Sequence, residues 1–210
     1  MLFKPAPPVN SRQTAATVFA IMANRGRIAG DTQVNKTFAP ELGRLVDELA
    51  NGLDPTDLAA LARLAEQMAK SFGVEPDEVA ILTLTQGDKI LKFLIPEKLQ
   101  AIGTIPLNST ASLAARTARE KRAELVNNFV VARHASVFEG VPLGRSQGER
   151  IHKIMSAPIM VANKVVGVVQ ISRKGRTAGE AGPDFTPQNL RDLISLTGEL
   201  GRFIQLCRVP

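Results

Sequence analysis

Residues 155–171 constrain the fold of this chain more than any other stretch. Positions 155–162 and 165–171 are apolar almost throughout. A strand with one face in water alternates apolar and polar residues, so these runs predict strands covered on both faces, in the middle of a sheet. Asn163 and Lys164 link them. Asn tolerates the left-handed backbone of a tight hairpin, whereas Lys is a poor second residue, so a slightly longer turn also fits. A polar, Gly-rich loop then leads to a helix opened by Phe185-Thr186-Pro187. Thr186 caps it, Pro187 takes its first position, and Leu190, Leu193, Ile194, Thr197, Leu200 and Ile204 form its buried side.

Upstream, residues 1–11 contain Pro5, Pro7 and Pro8, have little to bury, and read as a tail. A short helix is expected over 12–23 and a second over 40–50, where Leu42, Leu45, Val46 and Leu49 recur at helical spacing. Asp54-Pro55-Thr56-Asp57 starts a third helix, and Leu58, Leu61, Leu64, Ala65, Met68 and Phe72 carry its apolar stripe to Gly73. Strands follow at 79–85 and 89–95; the turn at Gly87-Asp88 is too short for a parallel crossover, so they pair antiparallel. After a loop around Ile102-Gly103-Thr104-Ile105-Pro106, Asn108-Ser109-Thr110 caps a helix over 111–121, and a strand follows at 124–126. Residues 129–138 fit either a short helix or an ordered loop, and 141–148 read as a loop.

A chain of 210 residues, 44% of them hydrophobic, holds one substantial core and an extension. The division expected is a tail and helical arm over 1–53 and one domain over 54–210. Twenty-six Lys and Arg against 20 Asp and Glu give +6, which suits an acidic partner where the charge clusters. Here Arg116, Arg119, Glu120, Lys121, Arg122 and Glu124 interleave the signs, and there is neither Trp nor Tyr to stack on bases. Both observations argue against a nucleic-acid interface. The single cysteine, Cys207, leaves no internal disulfide, thiolate cluster or Cys-x-x-Cys pair and suits a reducing cytoplasm. The longest apolar run near the N-terminus, 14–23, is about half the roughly 20 residues that span a bilayer. The prolines before it also break a signal-peptide core, so neither secretion nor a membrane location is expected.

The order of elements, helix, two strands, helix, strand, variable segment, two central strands, helix, resembles that of the GAF domain, a small-molecule sensor fold. The resemblance covers about residues 55–206 and is carried by several phrases in order: Ile105-Pro106-Leu107 before Ser112-Leu113-Ala114-Ala115-Arg116, Ser156-Ala157-Pro158-Ile159, Val165-Val166-Gly167-Val168, and Ser172-Arg173-Lys174-Gly175 before Phe185-Thr186. It implies an α+β, GAF-like (PAS-related) fold, a central antiparallel sheet with helices packed on it, here with an N-terminal helical arm. It further implies a non-catalytic, cytoplasmic sensory or regulatory module, homodimeric through its terminal helices. Such a module binds a small molecule between the sheet and the 129–138 segment and acts through a separate signalling protein. The alternative is a degenerate scaffold for dimerisation or protein interaction, its cavity filled by its own side chains. No cofactor is specified.

Cyclic-nucleotide-binding members of that family carry an Asn-Lys pair, a Phe, and an Asp near the start of the last helix. In this sequence Arg173 stands in the Asn place, Lys174 and Phe185 match, and Asn189 replaces the Asp, so the Lys-to-Asp ion pair cannot form. A plainer reading has Arg173 and Lys174 ending a strand in solvent and Phe185 plugging the core. Free methionine sulfoxide reductases of the fold need several cysteines, and covalent bilin attachment needs one near the pocket; Cys207 meets neither need. The ligand residues expected are Phe129, Arg133, His134 and Phe138 over a floor of Ile159, Val161 and Val169. Apolar surface with positive or switchable charge suits a small anionic or aromatic metabolite. His134 and His152 with Glu139 or Glu149 lack metal-site spacing, and Ser112, Thr117 and Ser136 lack the partners of a nucleophile.

Overall fold

A computed structural model describes residues 38–51, 58–85, 87, 89–101, 103–129 and 149–206. All of them fall within one compact unit, Thr32–Pro210. The elements are α1 (Phe38–Ala50), α2 (Leu58–Phe72), a 3-10 turn (Pro76–Glu78), β1 (Val79–Thr85), β2 (Ile90–Ile95), α3 (Glu97–Gln100) and β3 (Thr104–Pro106). There follow α4 (Leu113–Glu120), β4 (Glu124–Val126), β5 (Arg150–Val161), β6 (Lys164–Gly175) and α5 (Pro187–Leu206). The strands form one six-stranded sheet in the order β3-β2-β1-β6-β5-β4, antiparallel at every pairing. The helix expected over 12–23 and the helix start at Asp54 lie outside the described residues.

The apolar hairpin is longer than its sequence suggests, and its turn sits one residue earlier. Ala162 and Asn163, at φ 45° and 63°, both adopt the left-handed conformation that a two-residue turn needs to follow the twist of its strands. Lys164 thereby opens β6 and is relieved of the turn position that suits it badly. The stretch read as loop before residue 107 contains α3 and the short strand β3. Helix α4 is capped by Ser112, whose Oγ accepts from the Ala115 amide at 3.3 Å, and not by 108–110.

Helices α2 and α5 cover one face of the sheet, and α1 packs against both. Leu42, Leu45 and Val46 of α1 join Leu64, Met68 and Phe72 of α2, Leu193, Leu200 and Phe203 of α5, and Ile81, Met155, Ile159, Val169 and Ile171 of the strands in one apolar cluster. Each such side chain taken out of water contributes roughly 1.5–3 kcal/mol. Helix α1, expected in the arm, therefore belongs to this core, and the boundary expected after residue 53 falls inside the compact unit. The buried side of α5 is rotated from the expected one: Leu196 and Phe203 are inside, and Ile194, about 100° round the helix from Leu193, is 46% exposed. Two glycines allow the close approach of α5. A Cβ on Gly167 would lie 2.8 Å from Ile204 Cδ1, and one on Gly201 2.8 Å from Val161 Cγ2.

The opposite face carries α4. Its Ala114, Ala115 and Ala118 are small enough for the helix to lie close on β5 and β6, and they form one apolar cluster with Ala80, Leu82, Phe93 and Val168.

Candidate functional site

Strand periodicity sends alternate residues of β5 and β6 to opposite faces. Met155, Ala157 and Ile159, with Val169 and Ile171, enter the three-helix core. Their neighbours Ser156, Gln170 and Ser172 face the other way and are buried polar residues in otherwise apolar strands. Ser156 and Gln170 are paired across the hairpin. The Ser156 hydroxyl lies 2.7 Å from the Thr117 hydroxyl of α4 and accepts from Gln170 Nε2 at 3.3 Å. Gln170 is 2% exposed, yet its Oε1 has no hydrogen-bond partner among the described residues. A buried carbonyl left unpaired costs about 1–3 kcal/mol, so this acceptor is an expense that a donor arriving from outside the described structure would offset.

The rim of this face is built by β4 and the residues after it. The Phe129 amide donates to the His152 carbonyl at 2.8 Å, and the Phe129 ring packs on Leu113, Ile151 and Ile154. Residues 130–148, outside the described residues, connect this point to β5, and they include the expected site residues Arg133, His134 and Phe138. The expected floor is not on this face. Ile159 and Val169 are fully buried in the three-helix core, and Val161 lies against Gly201 of α5, so the structure does not bring these three together with Phe129. The reason is strand parity: the side chains that floor the α4 face are those at Ser156, Val168 and Gln170. The signal was present in the sequence as isolated polar residues within apolar strands.

The far end of β6 holds a group of half-buried charges around the buried Lys153. The Arg173 guanidinium sits 4.6 Å from the centre of the Phe185 ring and donates to the Phe72 carbonyl at 3.2 Å. Lys174 donates to the Asp77 backbone carbonyl at 2.6 Å, with the Asp77 carboxylate 3.9 Å away. Burial pushes the pKa of both cations down, against the pull of nearby carboxylates. Burial also raises the Glu78 carboxyl above its usual value, although the Glu75 and Lys174 amides donate to it. Lys153, 8% exposed at its side chain, pairs with Asp184 at 2.9 Å and donates to the Gly182 carbonyl. Asn189 makes no ion pair; it exchanges hydrogen bonds with Thr186 at the start of α5. Neither Arg173 nor Lys174 ends its strand in solvent, because both are folded under this charged cap.

Asn127 joins the two regions. Its side-chain amide donates to the Phe185 carbonyl and accepts from the Phe185 amide, both at 2.9 Å, as a neighbouring strand would. The rim of the α4 face is thus tied directly to Phe185, which leads into α5. Among the described residues there is no group of three or more metal-ligating side chains, and no helix is long and apolar enough to cross a membrane.

Residues 52–202 match the GAF domain among known protein families. No curated protein matches the chain in sequence. In solved structures, the chain is similar to the GAF domain of a phosphoenolpyruvate-protein phosphotransferase from Acinetobacter, with 19% identity, a TM-score of 0.58, and 81% of this chain and 94% of that one covered. The GAF domain of the corresponding protein from Coxiella burnetii gives 13% identity, a TM-score of 0.57, and coverage of 83% and 96%. A free methionine-R-sulfoxide reductase from Neisseria meningitidis, solved with its substrate, gives 16% identity, a TM-score of 0.55, and coverage of 87% and 95%. At these identities the likeness is one of fold.

Proposed function

Because this chain belongs to the GAF domain family, whose members commonly serve as sensory or regulatory small-molecule-binding domains, we propose that it is a non-catalytic sensor. Its ligand binds on the α4 face of the sheet, under the segment that follows Phe129. The observation that carries this reading is the buried carbonyl of Gln170, without a partner among the described residues, beside the Ser156 and Thr117 hydroxyls. Three polar groups in an apolar setting are the usual furnishing of a small-molecule site. Arg133, His134 and Phe138 supply the charge and apolar cover from the segment above, in favour of a small anionic or aromatic metabolite. Asn189, engaged in the cap of α5, weighs against cyclic nucleotides held through a Lys-to-Asp pair. The same fold serves an enzyme in the sulfoxide reductase, but the single cysteine of this chain does not support thiol–disulfide chemistry.

Binding is passed through Asn127 and Phe185 to α5, and from there to a second copy of the chain and a separate signalling protein in the cytoplasm. The second copy docks on the outer side of α5 around Ile194. The test is a thermal-shift screen of a metabolite library against the full chain, followed by Gln170→Leu and by Arg133→Ala with His134→Ala. A hit should raise the wild-type melting temperature, and both variants should lose that rise while their ligand-free melting stays within a few degrees. If no metabolite shifts the wild type and the double variant melts far lower, the segment is core and the scaffold reading replaces the sensor.

A further inference from the structure

A concavity lies away from the α4 face, where α2 meets the junction of β2 and α3. Its volume is about 250 Å³, with Ala62, Leu94 and Pro96 among its apolar walls and Glu66, Asp77 and Glu97 among its polar ones. We propose that this cleft binds a small organic cation, a primary amine or amidine carried on one ring or a short alkyl chain.

Size sets the first limit. The volume is just below the roughly 300–1,000 Å³ that accommodates drug-sized ligands, which restricts the occupant to a single ring or its equivalent. Charge sets the second. Glu66 and Glu97 make no ion pair among the described residues, and both are exposed at the cleft. The Asp77 carboxylate stands 3.9 Å from the Lys174 ammonium, beyond hydrogen-bond length, because that ammonium donates to the Asp77 backbone carbonyl instead. Asp77 therefore keeps accepting capacity toward the cleft. Lys98 is the one ammonium among the lining residues against three carboxylates, in a chain whose overall charge is +6. The net charge of the chain is positive, and this cleft is furnished with the opposite sign. A cation with an apolar body meets both walls: its body covers Ala62, Leu94 and Pro96, and its N–H groups make charge-assisted bonds to the carboxylates. A neutral analogue of the same shape would forgo those bonds.

The experiment is a titration of the ¹⁵N-labelled full chain with benzylamine, followed by NMR, with benzyl alcohol as the neutral control. Saturable shifts confined to residues 62–66, 76–78 and 94–98 are expected, with the alcohol binding at least about tenfold more weakly. Glu66→Gln with Glu97→Gln should weaken benzylamine by a similar factor, and Ala62→Leu, which fills the cleft from an exposed position, should abolish binding. The proposal fails if benzylamine gives no saturable shift at about 10 mM, if the shifts lie elsewhere, or if amine and alcohol bind alike. Because the alcohol comparison uses unaltered protein, it decides the matter even where a variant folds badly. A null result here leaves the α4-face site untouched, since the two share no residue.

Discussion

At Glu78, burial opposes charge. Desolvation holds its pKa above the usual 4.5, and the amides of Glu75 and Lys174 only partly counter it. Between the unfolded value and this raised folded value, the native state keeps a proton that the unfolded chain has lost. Stability therefore rises as pH falls through that window and declines as pH rises through it. Glu78→Gln should flatten the difference between urea-melting curves at neutral pH and at about pH 5 relative to wild type; an unchanged difference would show that Glu78 titrates as an ordinary surface carboxylate. Lys174 behaves in the opposite sense: with its pKa lowered by burial, stability gained from it rises with pH in the window below 10.5. These roles were only half legible. The resemblance marked Arg173, Lys174, Phe185 and Asn189 as a motif with two members replaced, Arg173 for Asn and Asn189 for Asp, and so predicted the missing ion pair. It did not show that Asp77 and Glu78 would answer Lys174, because partners about a hundred residues apart meet only through the β1–β6 pairing.

Among the elements, the strands and helices with strong periodicity were readable and the link between them was not. The β1, β4 and α5 positions follow from alternation, turn residues and the Thr186-Pro187 cap, each a local signal. The face that each strand residue takes is a parity question, and where a strand is apolar on both sides only its polar exceptions, here Ser156 and Gln170, mark it; these were passed over, and the expected floor residues Ile159 and Val169 lie in the three-helix core. Val169, fully buried in the three-helix core, tests the central placement. Val169→Asp should leave the chain unfolded or insoluble, at a cost of several kcal/mol for an unpaired buried charge; a soluble variant with unchanged circular dichroism melting would contradict it. The tie from β4 to α5 has a subtler test. Asn127→Ala removes both bonds to the Phe185 backbone and should cost about 1–3 kcal/mol in urea denaturation. It should also speed hydrogen exchange at the first turn of α5; exchange there at the wild-type rate would mean that Asn127 does not hold the helix start.

For the whole molecule, a homodimer through the terminal helices was expected, which would leave apolar surface of α2 and α5 to a second copy. Helix α1 packs with both, so Leu64, Met68, Leu193 and Leu200 are all satisfied within one chain. The proposed self-association then rests on the outer side of α5. Light scattering coupled to gel filtration should give twice 22.6 kDa for wild type at tens of micromolar and 22.6 kDa for Ile194→Lys. A wild-type mass of 22.6 kDa would remove the dimer. The outermost strands of the sheet, β3 and β4, are three residues long, while the hairpin beside β4 has strands of twelve. Pairing by β4 stops at Glu124 opposite Ser156, and Pro158, without an amide proton, lies just past it. A fibril grows by adding backbone to backbone along an open margin, and this sheet ends in two stubs with a proline beside one of them. Among the described residues, each outermost strand therefore offers only three residues to an incoming backbone.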